Sequence, residues 1–463
     1  MKLGGIILNN QNNLQARDSF ATRLGLVLAA AGSAIGLGNV WKFPYITGEN
    51  GGAAFILVYL ICIALIGLPV MVAELSVGRK AGKSTVSAFK KFAPKSVWIT
   101  GGVTGVLAAL LIMFYYPVIA GWAFAYVFKS LFSGLTTLSP EGIGEFFGNY
   151  ISGIEEPIFW QLVVVIITCW ILVGGVKDGI EKWSKLLMPT LFVILVILVI
   201  RSLTLQGAAK GVAFLWYPDF SKLTMHGVLT ALGHSFFTLS LGMGIMVTYG
   251  SYVSKSEDLS KTAIMVTIAD TSIALMAGLA IFPAVFAFGF EPGHGPGLVF
   301  VTLPAVFSKM PLGSIFSALF FLLLGIAALT STMSLTEVVV AYLVDEHNWS
   351  RTKSIITTGI VFFIFGVPAS LAMGPWAELK FFGLNYFDLL DYFSSNILLP
   401  LGGLLVALFV GFRWGVQGAI DEVSNGGKIK SSFINLYGFV IKYIAPVLIL
   451  IVFLNALGLL DKL

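Results

Sequence analysis

The chain alternates between long apolar stretches and short polar connections. Ten stretches of 18 or more residues contain no Asp, Glu, Lys or Arg: 24–41, 50–73, 96–128, 157–176, 223–254, 271–290, 310–336, 354–377, 392–412 and 443–460. An eleventh, 186–200, is shorter but continues a helical pattern that begins near Gly179. A helix needs about 20 apolar residues to cross a hydrocarbon core of roughly 30 Å. The pattern therefore predicts an all-α polytopic membrane protein with eleven transmembrane helices.

Composition and the placement of charge agree with this fold class. Hydrophobic residues make up 57% of the chain and charged residues 11%, whereas soluble domains carry about 25% charged residues, so a water-soluble enzyme is excluded. Basic residues cluster in the connections at 79–95 and 177–185, and acidic residues in the opposite one at 141–156. The positive-inside rule then places residues 1–20 in the cytoplasm, and eleven spans place the C-terminus outside. The net charge of +5 belongs to these loops and does not indicate a nucleic-acid partner.

Two apolar stretches, five spans apart, are interrupted by glycines. The first contains Gly32, Gly36 and Gly38, and the sixth contains Gly242 and Gly244 beside hydroxyl residues. Glycine weakens a helix by about 1 kcal/mol relative to alanine, so such clusters predict unwound backbone, although close packing of helices through small residues is the alternative. Two broken helices in matching positions are typical of an inverted repeat with its binding site at the breaks.

The inverted repeat divides the chain into two halves of five helices each. We predict the first half at 21–202, the second at 223–415 and the eleventh helix at 433–460, all within one transporter domain. Between the seventh and eighth spans, 291–309 is too short to cross a membrane and predicts a re-entrant or lid loop.

Five motifs of this chain resemble the neurotransmitter:sodium symporter family, in chain order and over nearly its whole length. They are Ala21-Thr-Arg-Leu-Gly-Leu, Gly36-Leu-Gly-Asn-Val-Trp-Lys-Phe-Pro-Tyr, Glu49-Asn-Gly-Gly-Ala-Ala-Phe, Phe236-Phe-Thr-Leu-Ser-Leu-Gly and Ala328-Leu-Thr-Ser-Thr. The likeness is greatest to the bacterial amino-acid branch with eleven helices. It implies a transporter of the bacterial inner membrane that is not an enzyme and imports hydrophobic or aromatic L-amino acids with sodium by alternating access. Its partners would be the amino acid, sodium and the lipid bilayer. A sodium symporter for a non-α amino acid or an osmolyte, and a transporter-like sensor or channel, are the alternatives.

The resemblance implies two sodium sites between the first, sixth, seventh and eighth helices. The first would use the carbonyl of Ala34 and the side chains of Asn39, Thr238 and Asp270, together with the substrate carboxylate. The second would use three carbonyls and two hydroxyls, those of Gly32, Ile35, Ala327, Thr330 and Ser331. Oxygen ligands of these kinds suit a hard cation. Taken alone, Thr330 and Ser331 would be interpreted more simply as ordinary hydroxyl residues that bond to the backbone of their own helix.

The resemblance also implies a zwitterion site. The substrate carboxylate would meet the amides of Leu37 and Gly38 and the hydroxyl of Tyr116, and Gly36 replaces the aspartate that monoamine members carry. The amine would meet the carbonyls of Ala34, Phe237 and Thr238 and the hydroxyl of Ser240. Residues around the substrate side chain would be Ser33, Ile112, Phe237, Met243, Ser331, Thr332 and Leu335. Met243 favours large side chains because a thioether adapts its shape, although it equally fits a role as a filler of the core.

Gates are implied on both sides of this site. Phe237 and Tyr116 would close over the substrate, and Lys42 would face Asp391 in the outer vestibule, where most members carry arginine instead of this lysine. On the cytoplasmic side Arg17 would pair with Asp345, supported by Tyr252. Gly179 and Pro189 resemble the motif that lets the fifth helix unwind.

Two residues depart from the family pattern near the first sodium site. His234 replaces the usual glutamine and either only forms hydrogen bonds or titrates and makes transport pH-sensitive. Asp270 stands where many members have asparagine, and Ala274 where chloride-dependent members have serine. The resemblance therefore implies two sodium ions and no chloride, with the Asp270 carboxylate supplying the negative charge that chloride supplies elsewhere.

Overall fold

A computed structural model describes residues 18–290, 297–429 and 432–459 of the protein, and these residues form helices without any strand. Nine of the helices in these ranges are long and apolar enough to cross a membrane. They are Ala53–Ala81, Ile99–Phe132, Glu155–Val173, Gly175–Leu203, Leu259–Ala287, Gly313–His347, Arg351–Leu371, Tyr386–Val423 and Leu436–Ala456. In chain order they are spans two to five and seven to eleven.

The first and sixth spans are each built from two helices. Arg23–Ala34 and Gly38–Glu49 meet at an angle of 48° and form the first span. Met225–Thr238 and Ile245–Gly250 form the sixth, separated by residues 239–244. Within this gap Gly242 and Gly244 have φ values of +77° and +75°, which disfavour side chains with a Cβ atom. The prediction of eleven spans with broken first and sixth helices is confirmed.

Short helices connect the spans outside the apolar stretches. They are Thr85–Phe92, Pro140–Ile151, Ala208–Trp216 and Leu298–Ser308. The last of these lies in the predicted lid loop, of which 291–296 fall outside the described residues. The fifth span begins at Gly175, with a π-helical turn over Gly175–Glu181, so the apolar pattern placed its start four residues too late. The predicted bounds of the two repeats and of the eleventh helix remain predictions, and residues 1–17 and 460 lie outside the described ranges.

Close helix packing surrounds the two broken spans. A Cβ atom on Gly78 of the second span would overlap the carbonyl of Val247, and one on Gly250 would overlap the carbonyl of Leu75. The second span and the inner half of the sixth therefore meet backbone to backbone. By contrast, Trp170 of the fourth span and Ile364 of the ninth expose 63% and 58% of their surface, as expected of side chains that face lipid.

Candidate functional site

A cavity lies between the broken spans and the third and eighth spans. It is lined by Ser33, Ala34, Gly36, Gly38, Ile112, Tyr116, Phe237, Ser240, Met243, Ile245, Ser331 and Leu335. The breaks in the first and sixth spans expose backbone groups to this space. Apolar side chains form most of the remaining wall, so the cavity combines a polar backbone end with an apolar chamber.

The predicted substrate residues line this cavity with three exceptions. Leu37 contributes its backbone amide, which donates to the Tyr116 hydroxyl at 3.0 Å. Thr238 turns towards Asp270, and the Thr332 hydroxyl lies 2.8 Å from that of Thr168 in the fourth span. Ile245, which was not predicted, lines the cavity because the helix resumes directly after Gly244.

Polar groups of the cavity come from the two breaks and the eighth span. The Ser33 carbonyl accepts hydrogen bonds from Ser240 Oγ at 2.9 Å and from Ser331 Oγ at 3.2 Å. The first helix of the first span ends at Ala34, and the second begins at Gly38. Carbonyl ends carry partial negative charge and amide ends partial positive charge. The arrangement can therefore hold an ammonium group and a carboxylate at neighbouring points.

Three of the four predicted protein ligands of the first sodium ion meet beside this cavity, and the fourth, Ala34, lines it. Asp270 is fully buried, and its Oδ1 accepts hydrogen bonds from Asn39 Nδ2 at 2.8 Å and from Thr238 Oγ1 at 3.0 Å. The side-chain oxygen Oδ1 of Asn39 accepts from the backbone amide of Gly36 at 3.2 Å, across the break in the first span. One carboxylate, one amide oxygen and one hydroxyl thus converge on the unwound backbone.

The predicted ligands of the second sodium ion lie where the first and eighth spans touch. Thr330 Oγ1 donates to the carbonyl of Ala327 at 3.0 Å, and a Cβ atom on Gly32 would lie 3.3 Å from the Cβ of Thr330. Ile35 leaves the helix with φ −75° and ψ 85°, which directs its carbonyl away from the helical hydrogen-bond pattern. The described residues contain no cluster of His, Cys, Asp and Glu that could hold a transition metal, and oxygen groups like these suit sodium.

A second cavity adjoins the first and shares Tyr116 and Phe237 with it. Its lining is Leu37, Trp41, Lys42, Tyr45, Tyr115, Tyr116, Ile119, Phe237, Phe387, Asp388 and Asp391. The two shared aromatic rings therefore separate the cavities, in the place predicted for a gate. Lys42 and Asp391 line the same space, but no ion pair joins them in the described part of the chain. Lys42 Nζ instead lies 4.6 Å from the ring centroid of Phe237.

Residues predicted for the cytoplasmic gate belong to two clusters. Asp345 accepts a hydrogen bond from the backbone amide of Ser84 at 2.5 Å, and Arg17 lies outside the described residues. Tyr252 donates to Glu337 Oε1 at 2.7 Å. Glu337 is fully buried and also pairs with Arg351 at 2.7 Å. This pair was not predicted, because no motif in the sequence marks Glu337.

Two further buried groups adjoin the site. Glu74 Oε1 accepts a hydrogen bond from the amide of Gly242 at 2.8 Å and so fixes one side of the break in the sixth span. His234 is surrounded by the rings of Phe43, Tyr59 and Phe237, with centroid distances of 6.0, 5.5 and 6.5 Å. Neither ring nitrogen of His234 has a hydrogen-bond partner among the described residues.

Comparison with known proteins gives one consistent result. A sequence model described as "Sodium:neurotransmitter symporter family" matches residues 17–139 and 149–462. The "Uncharacterized sodium-dependent transporter YhdH" of Bacillus subtilis (strain 168) is 41% identical over 96% of this chain and 98% of its own length. An "Uncharacterized sodium-dependent transporter" of Haemophilus influenzae is 39% identical over 96% of this chain and 99% of its own. The crystal structure of MhsT in complex with L-phenylalanine superposes with a TM-score of 0.88, at 48% identity, over 95% of this chain and all of that one.

Proposed function

Because this chain belongs to the sodium:neurotransmitter symporter family and is a sodium-dependent, multi-pass membrane transporter, we propose that it imports hydrophobic and aromatic L-α-amino acids. Sodium moving down its gradient would drive the import by alternating access. The observation that carries this proposal is the cavity between the broken spans, whose polar end suits a zwitterion and whose wall is largely apolar. MhsT, which was crystallised with L-phenylalanine, supports the same substrate class.

The proposed substrate position follows from Gly36 and Tyr116. The Tyr116 hydroxyl and the Leu37 amide, now bonded to each other, would both turn to the substrate carboxylate. Gly36 leaves room there, since a Cβ atom at this position would lie 2.8 Å from the Tyr116 hydroxyl. The side chain would extend towards Ile112 and Met243. A charged side chain is excluded because an unpaired charge in an apolar wall is costly.

We propose that two sodium ions bind with the substrate. The first would use Ala34, Asn39, Thr238 and Asp270, and its coordination would be completed by the substrate carboxylate. The second would hold the first span to the eighth through Gly32, Ile35, Ala327, Thr330 and Ser331. Chloride would not be required, because the Asp270 carboxylate already offsets part of the positive charge of the two ions.

The proposed cycle moves the site between the two sides of the bacterial inner membrane, with the N-terminus in the cytoplasm and the C-terminus outside. Tyr116 and Phe237 would close the outer path, with the ammonium of Lys42 over the Phe237 ring as a cation–π contact. The cytoplasmic path would open when the clusters around Asp345 and Glu337 separate. The π-helical start of the fifth span, Gly175–Glu181, is the natural place for that helix to unwind.

A thermal-shift screen of the purified protein against the twenty amino acids, with and without sodium, tests the substrate class. We expect sodium-dependent stabilisation by leucine, phenylalanine, tyrosine and tryptophan, and none by aspartate or lysine. The same ligands should then accumulate in proteoliposomes only under an inward sodium gradient. Stabilisation by β-amino acids or osmolytes alone would favour the alternative substrate class. Binding without accumulation would favour a sensor and contradict the proposal.

A further inference from the structure

Thr85, the first residue of the short helix Thr85–Phe92 on the cytoplasmic side of the second span, contacts the break in the sixth span. Its Oγ1 donates a hydrogen bond to the carbonyl of Gly244 at 2.9 Å and lies 3.2 Å from Thr248 Oγ1. A hydroxyl has one hydrogen to donate, so the Thr248 hydroxyl must donate to Thr85. Both threonines are buried, with 2% and 0% of their surface exposed.

This contact and Glu74 flank Met243 from its two sides. Glu74 accepts from the amide of Gly242 at 2.8 Å, and Thr85 donates to the carbonyl of Gly244. Gly242 and Gly244 both have positive φ, so the backbone here has no helical pattern to hold it. The only helical bond to this carbonyl comes from the Thr248 amide at 2.9 Å, at the start of Ile245–Gly250. Glu74 and Thr85 thus hydrogen-bond the backbone on either side of Met243, while Gly242 also packs against the backbone of Leu399 and Gly402 in the tenth span.

Thr85 itself is held firmly by its surroundings. The amide of Ser84 donates to Asp345 Oδ2 at 2.5 Å, which fixes the start of the short helix. A Cβ atom on Gly102 of the third span would lie 2.9 Å from the Thr85 carbonyl. A Cβ atom on Gly105, one turn further along the third span, would lie 3.0 Å from the amide nitrogen of Gly244. One face of the third span thus supports both partners of the hydrogen bond.

We propose that Thr85 is a positioning residue for substrate selection: it fixes residues 242–244 and so sets the size of side chain that Met243 admits. The inference rests on the proposed amino-acid site and extends it to a residue in the loop after the second span. A large substrate side chain must contact Met243, whereas a small one does not. Loss of the Thr85 hydroxyl should therefore weaken binding of large substrates selectively.

The test compares L-tryptophan and L-valine affinities of the purified full-length protein in saturating sodium. Thr85→Val replaces the hydroxyl by a methyl group of similar size, and Thr85→Ser keeps the hydroxyl. A net hydrogen bond of ordinary strength corresponds to a loss of about three- to tenfold, which we expect for tryptophan in Thr85→Val, with less than a twofold loss for valine. Thr85→Ser should restore the wild-type ratio of the two affinities.

Ser130→Ala is a matched control, because it removes a buried hydroxyl bond between the third and eighth spans, at 2.7 Å from Ser317, away from the break. It should leave the affinity ratio unchanged. If Thr85→Val does not fold, Thr85→Ala removes the same hydroxyl without adding a methyl group and is judged by the same ratio. Equal losses of affinity for both amino acids, or no loss, would overturn the proposed role of Thr85. The wild-type affinities would still support the amino-acid site itself. A wild-type protein that binds neither amino acid would overturn both proposals.

Discussion

Replacing Asp270 by asparagine removes one negative charge from the proposed first sodium site with little change in shape. The carboxylate is fully buried and accepts hydrogen bonds from Asn39 and Thr238. The amide oxygen of an asparagine can accept from the same donors, so the local fold should persist. The substitution therefore tests the charge of Asp270 separately from its packing.

The expected loss of sodium affinity follows from the attraction between the carboxylate and the ion. Two opposite unit charges about 4 Å apart, at an effective dielectric constant near 20, attract by about 4 kcal/mol. The asparagine oxygen would retain part of this as a dipole, so we expect a loss of about 2–4 kcal/mol. At 1.4 kcal/mol per tenfold, that is roughly a 30- to 1,000-fold weaker affinity for sodium.

Initial uptake into proteoliposomes is measured against sodium concentration in chloride and again in gluconate. This gives the sodium concentration for half-maximal uptake and the dependence of uptake on chloride. Wild-type uptake should be the same in the two anions, and Asp270→Asn should need a far higher sodium concentration for half-maximal uptake. A double variant, Asp270→Asn with Ala274→Ser, adds a hydroxyl one turn along the seventh span. It should recover sodium-dependent uptake in chloride but not in gluconate.

Two results would refute this reasoning about charge. A several-fold drop of wild-type uptake in gluconate would mean that Asp270 does not replace the anion. An unchanged sodium dependence in Asp270→Asn would mean that the carboxylate has a structural role only. Thermal stability of the variants in detergent distinguishes loss of the ion site from loss of the fold.

Three further variants test the remaining parts of the site. Thr330→Ala combined with Ser331→Ala should abolish concentrative uptake, because only carbonyls of two separate spans would remain for the second sodium; sodium-driven accumulation at the wild-type level would contradict that site. Gly36→Asp should eliminate binding of leucine and tryptophan in a direct binding assay, since its Cβ atom would crowd the Tyr116 hydroxyl at 2.8 Å and its carboxylate would repel that of the substrate; retained affinity would place the substrate elsewhere. Met243→Phe should reduce tryptophan affinity more than leucine affinity, because a rigid ring cannot reshape as a thioether does; equal losses would remove the argument from size.

The spans themselves could be predicted because the bilayer imposes one simple rule on every crossing segment. Backbone groups in lipid must bond within the helix, and side chains must be largely apolar, so the charge-free stretches correspond to the spans. The start of the fifth span was misplaced, at Gly179 and not Gly175, because Lys177 and Asp178 interrupt the apolar pattern there. A helix end outside the hydrocarbon core leaves no comparable signal in hydropathy.

The residues that line the cavity were harder to predict in the sixth and eighth spans. A regular helix repeats its faces every 3.6 residues, but residues 239–244 follow no such period. The inward direction of Ile245 depends on how the backbone turns at Gly244, which no spacing reveals. Thr332 adjoins Ser331 in the chain, yet its hydroxyl bonds with Thr168, because neighbours on a helix differ by 100° in direction.

Three buried carboxyl groups stand next to the ends of charge-free stretches in the sequence. Glu74 follows the stretch 50–73, Asp270 precedes 271–290 and Glu337 follows 310–336, and each is fully buried. Their helices nevertheless run on to Ala81, back to Leu259 and on to His347, so these carboxyl groups stand inside spans, at least seven residues from the nearer helix end. An ionisable residue inside a span is a candidate functional residue, and its partners indicate the part of the site to which it belongs. Glu74 bonds the break in the sixth span, Asp270 bonds two residues of the proposed sodium site, and Glu337 bonds Tyr252 and Arg351. The rule that locates spans therefore passed over Glu74 and Glu337, whose burial becomes clear only when the helices are seen to continue past them.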